Sequence, residues 1–238
     1  MNPIYYSWFQ TALDDSFSQL AVLKESERGS VRLIQHRTTG QRFILRSFTG
    51  SAEVYRMLLN YKCPHLPTTY EVTSDGSKHL ILEEYIQGDN MGVMLQGALF
   101  TSEETREIAR QLCRALWVLH KLGAVHRDVK PENVILRGRD AVLIDFDAAR
   151  IHKNDPEASS DTVILGTTGF AAPEQYGMSQ SDARSDIYSL GILINVMLTG
   201  SHPSHKLADG QWGRIVTRCT QVNPAKRYQT VLRLLDEL

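Results

Sequence analysis

Cysteine is scarce in this sequence: 3 of its 238 residues are cysteines, and no two of them form a CxxC pair. Cys63, Cys113 and Cys219 lie too far apart to suggest a zinc site, and their odd number argues against a disulfide framework. We therefore expect buried or neutral thiols in a reducing compartment. Cys113 lies in an apolar helical stripe, which predicts that it packs in a core.

Long apolar runs and an excess of one charge are also missing. No stretch reaches the roughly 18 apolar residues that a bilayer span needs, and the start, MNPIYYSWFQ, lacks the basic and apolar regions of a signal peptide. The 26 basic residues nearly balance the 27 acidic ones, so the net charge of -1 predicts no attraction to nucleic acid or an anionic membrane. These absences favour a globular cytoplasmic protein with no membrane span and no nucleic-acid partner.

The apolar pattern changes along the chain. Up to about residue 87 it predicts strands broken by turns, and after Gly88 it predicts mainly helices. The strand candidates are 30–34, 42–46, 68–72 and 79–85, with a short helix near 52–59. Three later helices are predicted. The first begins at the cap sequence TSEE of 101–104, the second spans 185–198, and the last runs from about 229 to the end. We expect an α+β fold of two lobes, about 1–87 and about 88–238, in a single domain of 1–238.

The strongest chemical signal lies between residues 126 and 147. The sequence HRDVKPEN occupies 126–133, and an Asp-Phe-Asp triplet follows at 145–147. Asp128 can orient and deprotonate a hydroxyl, while Lys130 can offset negative charge on a moving phosphate. Asn133 and Asp145 offer the oxygen ligands that suit Mg²⁺. This set of residue types favours transfer of a phosphoryl group.

These motifs resemble those of the protein-kinase family. HRDVKPEN is similar to that family's catalytic loop, and the triplet at 145–147 stands in place of its Asp-Phe-Gly. The segment GTTGFAAPE at 166–174 resembles the end of a kinase activation segment. The resemblance implies that Asp186 supports the catalytic loop and that Arg227 pairs with Glu174.

The same resemblance indicates the branch and the chemistry. Lys130 and Thr167 are typical of Ser/Thr kinases, and the run LGTTGFAAPEQYG is similar to small eukaryotic-like kinases of bacteria. The resemblance therefore implies a Ser/Thr protein kinase that uses ATP with Mg²⁺ or Mn²⁺ and acts on a protein substrate. It also makes Thr167 a further catalytic candidate.

The N-terminal lobe departs from the family pattern where ATP is expected to bind. The family's GxGxxG reads KESERG at 24–29, so only Gly29 remains. Arg46 stands in place of the phosphate-binding lysine, and Glu53 is the candidate for its ion-pair partner. Ile44 replaces a small alanine against the adenine ring, and Lys24 is a hypothetical substitute for the lysine. The other nucleotide contacts that the resemblance implies are Gly29, Val31 and Ile135.

Two further features leave alternatives open. Asp147 replaces a glycine and either adds a metal contact or points to solvent. Arg127 precedes the catalytic aspartate, which in the family indicates a basic pocket for a phosphate on the activation loop. The candidate autophosphorylation sites are Thr162, Ser160 and Ser159, although they also fit ordinary loop hydroxyls.

Three functions therefore compete at this point. An intact catalytic loop favours an active kinase, whereas the altered nucleotide residues favour a pseudokinase that binds or regulates a partner protein without catalysis. A small-molecule phosphotransferase ranks third, because the segment ending at Glu174 and its partner Arg227 are typical of protein kinases.

Overall fold

The computed structural model describes residues 3–151, 169–176 and 181–238. The chain divides into two compact units, Met1–Cys63 with Pro67–Ile86 and Pro64–Leu66 with Gln87–Leu238. The division after Ile86 falls where the apolar pattern changes from that of strands to that of helices. The architecture is α+β, as the sequence predicts, with a strand-rich first unit and a helix-rich second unit.

The first unit is built on an antiparallel sheet of five strands in the order β1-β2-β3-β5-β4. Its elements are α1 (Pro3–Ser16), β1 (Phe17–Ser26), β2 (Gly29–His36), β3 (Arg42–Thr49), α2 (Glu53–Met57), β4 (Thr69–Asp75) and β5 (Lys78–Glu84). The four strand predictions and the short helix are confirmed. Helix α2 is shorter than the predicted 52–59: it ends at Met57, and Leu59 already forms a β-bridge with Thr69.

Helix α1 is a feature that the sequence pattern does not predict. Tyr5 donates a hydrogen bond from its hydroxyl to Glu71 Oε2 on β4 at 3.0 Å, which ties the helix to the sheet. Ile4 and Trp8 are 74% and 60% exposed, while Leu13 is buried. Because its apolar side chains do not form one buried stripe, the helix lacks the period that would reveal it.

The strand register places three residues of interest in one row. A bulge between Val22 and Lys24 brings Lys24 opposite Val31, and Val31 in turn lies opposite Arg46. Directly paired residues of antiparallel strands point to the same face of the sheet. Lys24, Val31 and Arg46 therefore share one face, and the bulge is what turns Lys24 toward it.

The hairpin between β1 and β2 replaces the expected glycine-rich loop. Ser26 pairs with Gly29, which leaves only Glu27 and Arg28 in the turn. Gly29 has a φ of 153°, and a Cβ there would lie 1.9 Å from Ser47 O on β3. The close approach of β3 is by itself a sufficient reason for glycine at this position.

The second unit is mainly helical and carries two small sheets, of order β10-β7 and β6-β8-β9. Its elements are β6 (Asp89–Asn90), α3 (Met91–Gly97), α4 (Ser102–Lys121), β7 (Ala124–Val125), β8 (Val134–Arg137), β9 (Asp140–Leu143), β10 (Arg150–Ile151), α5 (Ala183–Thr199), α6 (Gly210–Cys219) and α7 (Val231–Leu235). Short 3-10 turns accompany them at Pro131–Asn133, Pro173–Tyr176 and Pro224–Lys226. None of the helices in the described ranges has the length and apolarity to cross a bilayer.

The predicted helices of this unit are confirmed, with boundaries set by their caps. Thr101 and Glu104 form a capping box at the start of α4. Gly200, at φ 69°, ends α5 in a left-handed conformation. Thr230 caps α7 through its side chain, so the last helix begins slightly later than the predicted 229.

The cysteines are free thiols, as the sequence predicts. Burial raises the pKa of the Cys113 thiol to about 12, and it raises the pKa of Cys219 as well. A Cβ on Gly191 would lie 2.3 Å from Cys219 Cβ, so α5 and α6 pack closely at this point. Cys113 and Cys219 therefore act as small core residues.

Candidate active site

The loop that follows β7 is anchored to the buried side chain of Asp186 on α5. Asp186 Oδ2 accepts from His126 N at 2.9 Å, and Oδ1 accepts from Arg127 N at 2.8 Å. His120 on α4 donates from Nε2 to the same carboxylate at 2.8 Å. Arg127 has a φ of 69°, a conformation that costs about 1 kcal/mol or more for a side chain of this kind. The carboxylate thus holds the loop in a strained shape, and the predicted role of Asp186 is confirmed.

The polar side chains of this loop converge on Asp128. Lys130 Nζ lies 2.8 Å from Asp128 Oδ2, and Asn133 Nδ2 donates to the same oxygen at 2.9 Å. Asn133 Nδ2 also donates to the Asp128 carbonyl at 2.8 Å. The side chains of Asp128 and Lys130 are 16% and 20% exposed, so the carboxylate is fixed in direction and still open to solvent on one side.

Asn133 and Asp145 are brought together by a backbone hydrogen bond. Ile144 N donates to Asn133 O at 2.9 Å, which places Asp145, the next residue, beside Asn133. The Nδ2 end of the Asn133 amide faces Asp128, so its Oδ1 end points away from that carboxylate. Within the described ranges, no group of three or more His, Cys, Asp or Glu side chains is arranged to hold a metal. One amide and one carboxylate fit Mg²⁺, which binds few protein ligands and completes its shell with water and phosphate oxygens.

His126 connects the loop to the Asp-Phe-Asp triplet. Its Nε2 lies 3.2 Å from Ile144 O, and its ring meets Phe146 edge to face at 5.6 Å between centroids. Phe146 is buried, and Asp145 has a φ of 69°, which an aspartate tolerates better than most residues. Asp147 is exposed, and its N–H donates to Asp145 Oδ1 at 3.4 Å, which supports its solvent-facing interpretation.

A second buried ion pair supports the segment that follows Gly169. Arg227 donates from Nη1 to Glu174 Oε1 at 2.6 Å and from Nη2 to Oε2 at 2.8 Å. The predicted pair is therefore confirmed. Gln175, the next residue, donates from Nε2 to Arg127 O at 2.8 Å, so this segment is tied to the catalytic loop.

Both supporting carboxylates titrate below their usual range. Burial alone raises the pKa of Glu174, but hydrogen bonds from Arg227 and Ser185 outweigh it and hold that pKa below its ordinary value. Burial is also the largest single influence on Asp186 and raises its pKa, but the hydrogen bond from His120, the nearby His120 and His126 rings and the hydrogen bond from Arg127 N together outweigh it and leave that pKa lowered. The ionised forms are thus the ones that the fold stabilises.

Acidification is expected to destabilise the fold through these two groups. Each has a folded pKa below its unfolded value of about 4, so its stabilising contribution is complete above about pH 5 and is lost as the pH falls through the unfolded pKa toward the folded one. The urea midpoint, measured at steps from about pH 7 to about pH 3, should fall steeply below about pH 5. A Glu174→Gln variant should start lower and fall less. Parallel curves for the two proteins would contradict this linkage.

The structure gives Arg46 a different partner from the one expected. Arg46 on β3 and Glu83 on β5 form a buried ion pair, with side chains 7% and 3% exposed. Glu53, the predicted partner, is exposed at the start of α2. The reason is the register: Arg46 lies opposite Ile81, so Glu83, two residues further along, is its diagonal neighbour on the same face.

The remaining predicted nucleotide residues lie on separate elements. Ile44 is half-buried and lies directly opposite Glu83, Val31 is half-buried, and Lys24 is exposed on β1. Ile135 is half-buried on β8 of the second unit. Thr167 and the candidate phosphorylation sites Thr162, Ser160 and Ser159 lie outside the described residues.

Sequence reasoning missed three supporting residues. Glu83, His120 and Gln175 are polar and mostly or fully buried, yet each occupies a stretch with no recognisable spacing to its partner. Gln175 is adjacent to Glu174, and that adjacency is the only signal that the sequence offers for it. The other two pair with residues far away in the chain, which a linear pattern does not reveal.

Comparison with known proteins defines the class to which this geometry belongs. The family described as "Protein kinase domain" matches residues 25–232, a range that covers most of both units. The chain therefore belongs to the protein kinase family.

Individual relatives are bacterial serine/threonine-protein kinases. Serine/threonine-protein kinase D of Synechocystis is 30% identical over 222 residues, which cover 84% of this chain and 43% of the relative. A probable serine/threonine-protein kinase of Clostridium acetobutylicum is 26% identical, with 88% of this chain and 35% of the relative covered. A probable PknB kinase of Corynebacterium glutamicum is 37% identical, over 57% of this chain and 22% of the relative. The chain thus spans less than half the length of these relatives.

Proposed function

We propose that this chain is a Ser/Thr protein kinase that transfers the γ-phosphoryl group of ATP to a protein hydroxyl. The observation that carries the proposal is the Asp128 carboxylate, held by Lys130 and Asn133 on a loop that Asp186 anchors. A carboxylate fixed by two hydrogen-bond donors and partly open to solvent is suited to receive the proton of a substrate hydroxyl.

Each neighbouring residue has a defined role in this proposal. Asp128 orients the hydroxyl and accepts its proton, while Lys130 balances the charge that builds up on the phosphate oxygens. Asn133 and Asp145 hold Mg²⁺, which when bound supplies further positive charge next to those oxygens. The names of the three relatives described above support this chemistry, since each is called a serine/threonine-protein kinase or a probable one.

A groove in the second unit is a candidate position for the protein substrate. It has a volume of about 540 Å³ and begins beside the catalytic loop at Pro131 and Glu132. Its other walls include Gly92, Leu95, Phe170 and Val196. We assign it to a short segment of the protein substrate because it is mainly apolar, adjoins the catalytic loop and carries the exposed carboxylate of Glu132.

The nucleotide grip is atypical in this proposal. Arg46 and Lys24 share one face of the sheet with Val31 between them, so two cations face the same side. The hairpin at Glu27 and Arg28 is a tight turn rather than a glycine-rich loop. We therefore assign phosphate binding to Arg46 and Lys24 together, and adenine contact within this unit to Ile44 and Val31.

A pseudokinase that binds a regulatory partner is the second candidate. It is favoured by Arg46 itself, because a planar guanidinium is wider than the ammonium of the lysine that it replaces and is already in contact with Glu83. It is also favoured by Glu25 and Glu27, which add negative charge to the hairpin.

Nucleotide binding and phosphate transfer separate the two candidates. A ligand that binds only the folded state stabilises it, by about 2.7 kcal/mol at a hundred times its Kd. Thermal unfolding with ATP and either Mg²⁺ or Mn²⁺ should therefore show a concentration-dependent rise in Tm. Transfer of labelled phosphate to the chain itself, or to a generic basic protein, then tests catalysis, and mass spectrometry locates any product at Thr162, Ser160 or Ser159. A protein with no Tm shift and no transfer fits the pseudokinase alone.

Replacing Lys24 tests the two-cation grip. Lys24→Ala should weaken Mg·ATP binding by at least about tenfold, the usual loss for a hydrogen bond to a charged group, and should leave the Tm of the unliganded protein nearly unchanged because Lys24 is exposed. The measurement is an ATP titration followed by thermal unfolding. Arg32→Ala is the matched control, since Arg32 lies opposite Val22 and Leu45 on the other face of the sheet. Equal affinities for both variants would exclude Lys24 from the grip.

A further inference from the structure

We infer that Glu83 on β5, rather than Glu53 on helix α2, is a positioning residue for Arg46, so that the direction of the phosphate-binding cation is set from within the sheet. The inference rests on the proposed nucleotide-binding function and concerns how that site is assembled and regulated.

The first step is the identity of the ion pair. Arg46 Nε and Glu83 Oε2 are in direct contact, and both side chains are more than nine-tenths buried. A buried guanidinium and a buried carboxylate are tightly coupled, because each would otherwise lose its hydration without compensation. Glu83 therefore restricts the directions that the Arg46 side chain can take.

The second step is the rigidity of the two backbones. β3 and β5 are hydrogen-bonded neighbours over seven paired positions, from Phe43 opposite Glu84 to Thr49 opposite Lys78. Arg46 and Glu83 lie inside this ladder, so neither partner can move away without breaking the sheet. Helix α2, in contrast, has only five residues, and Glu53 at its start is exposed.

A regulatory consequence follows from this geometry. If the partner of the cation were on a helix, a shift of that helix would make or break the pair and would switch nucleotide binding. With the partner on the adjacent strand, the pair persists whatever the position of α2. The Arg46 part of the nucleotide grip is therefore independent of α2, and a shift of that helix does not switch it.

The experiment measures the binding of ATP, ADP and adenosine to three glutamine variants: Glu83→Gln, Glu53→Gln and Glu84→Gln. Glu83→Gln keeps the shape of the side chain and removes its charge, and it should weaken ATP and ADP binding by at least about tenfold. Adenosine binding should change less than twofold, because Arg46 is assigned to the phosphates. A defect of folding would weaken all three ligands together, so this ligand pattern distinguishes positioning from structural support. Glu84→Gln removes the adjacent carboxylate, which lies on the opposite face of β5, and is the matched control.

Two further comparisons complete the test. Glu83→Asp retains the carboxylate and should bind ATP better than Glu83→Gln, whereas a space-filling role would favour the glutamine. If Glu83→Gln does not fold, a double-mutant cycle of Arg46→Met, Glu83→Leu and the double variant measures the coupling between the two side chains. Urea midpoints give the stability of each variant. The double variant should be more stable than the sum of the two single losses predicts.

The outcomes are separable. The inference is overturned if the wild-type protein binds ATP and the loss of ATP affinity is seen in Glu53→Gln but not in Glu83→Gln. That result leaves the proposed function intact. Equal losses for ATP, ADP and adenosine in Glu83→Gln, or additive losses in the cycle, also overturn it. A wild-type protein that binds none of the three ligands overturns the proposed function and the positioning role with it.

Discussion

Asp128→Asn should lower the rate of phosphate transfer by about 10² to 10⁴-fold, the range that a general base contributes. The asparagine oxygen still accepts hydrogen bonds from Lys130 and Asn133, so the loop should keep its shape. What is lost is the ability of the side chain to take a proton. The rate of labelled phosphate transfer measures the effect, and the Mg·ATP-induced rise in Tm should remain because Asp128 is not assigned to nucleotide binding.

Asp140→Asn provides the matched control for this prediction. Asp140 is exposed at the start of β9, in the same unit, and the substitution is chemically identical. It should leave the transfer rate unchanged. If the Asp128→Asn protein transfers phosphate as fast as wild type, then Asp128 is not the base and the catalytic assignment of the whole loop fails.

Arg227→Met should have the largest effect on stability of any single substitution considered, a loss of about 3–5 kcal/mol in the free energy of unfolding. The Arg227 side chain is fully buried and makes five hydrogen bonds. Two go to Glu174, and three go to the carbonyls of Gln221, Arg184 and Val222. Methionine fills much of the volume but leaves the Glu174 charge buried without its principal partner. Urea unfolding at neutral pH measures the loss.

Arg233→Met is the control for the same chemical change at the surface. Arg233 lies 3.9 Å from Asp236, and both side chains are about 70% exposed or more. An exposed pair of this kind contributes at most about 1 kcal/mol, so the urea midpoint should hardly move. Similar losses for Arg227→Met and Arg233→Met would show that the buried pair does not support the fold.

The catalytic loop could be predicted from the sequence because its functional residues are close neighbours along the chain. Asp128, Lys130 and Asn133 lie within one loop, and their contacts involve residues at most five positions apart. Asp145 joins them through a single short pair of strands, β8 and β9, whose apolar runs are visible in the sequence. Local spacing of this kind limits the possible arrangements to a few.

The pairing of Arg46 could not be predicted in the same way. Its register position on β3 follows from the strand pattern, but its partner is 37 positions away and is chosen by how β5 aligns with β3. A register shift of one residue would turn Glu83 to the opposite face. Glu53 is nearer in the chain and has the right charge, yet it is left at the exposed start of a short helix.

Helix α1 is a secondary-structure element that could not be predicted from the sequence either. Its apolar residues do not recur at a helical period on one face, so the sequence alone offers no pattern to detect. The contact of Tyr5 with Glu71 on β4 belongs to the folded sheet, which does not exist until the strands have paired.

The sequence by itself determined the change from strands to helices near residue 87, the family resemblance, and the residues of the catalytic loop, because these depend on periodicity, caps and contacts between near neighbours. Only the tertiary structure decided which buried polar side chains meet: Glu83 with Arg46, and His120 with Asp186. The physical reason is that burying a charge is costly without a partner, and the partner that burial provides depends on strand register and helix packing rather than on distance along the chain.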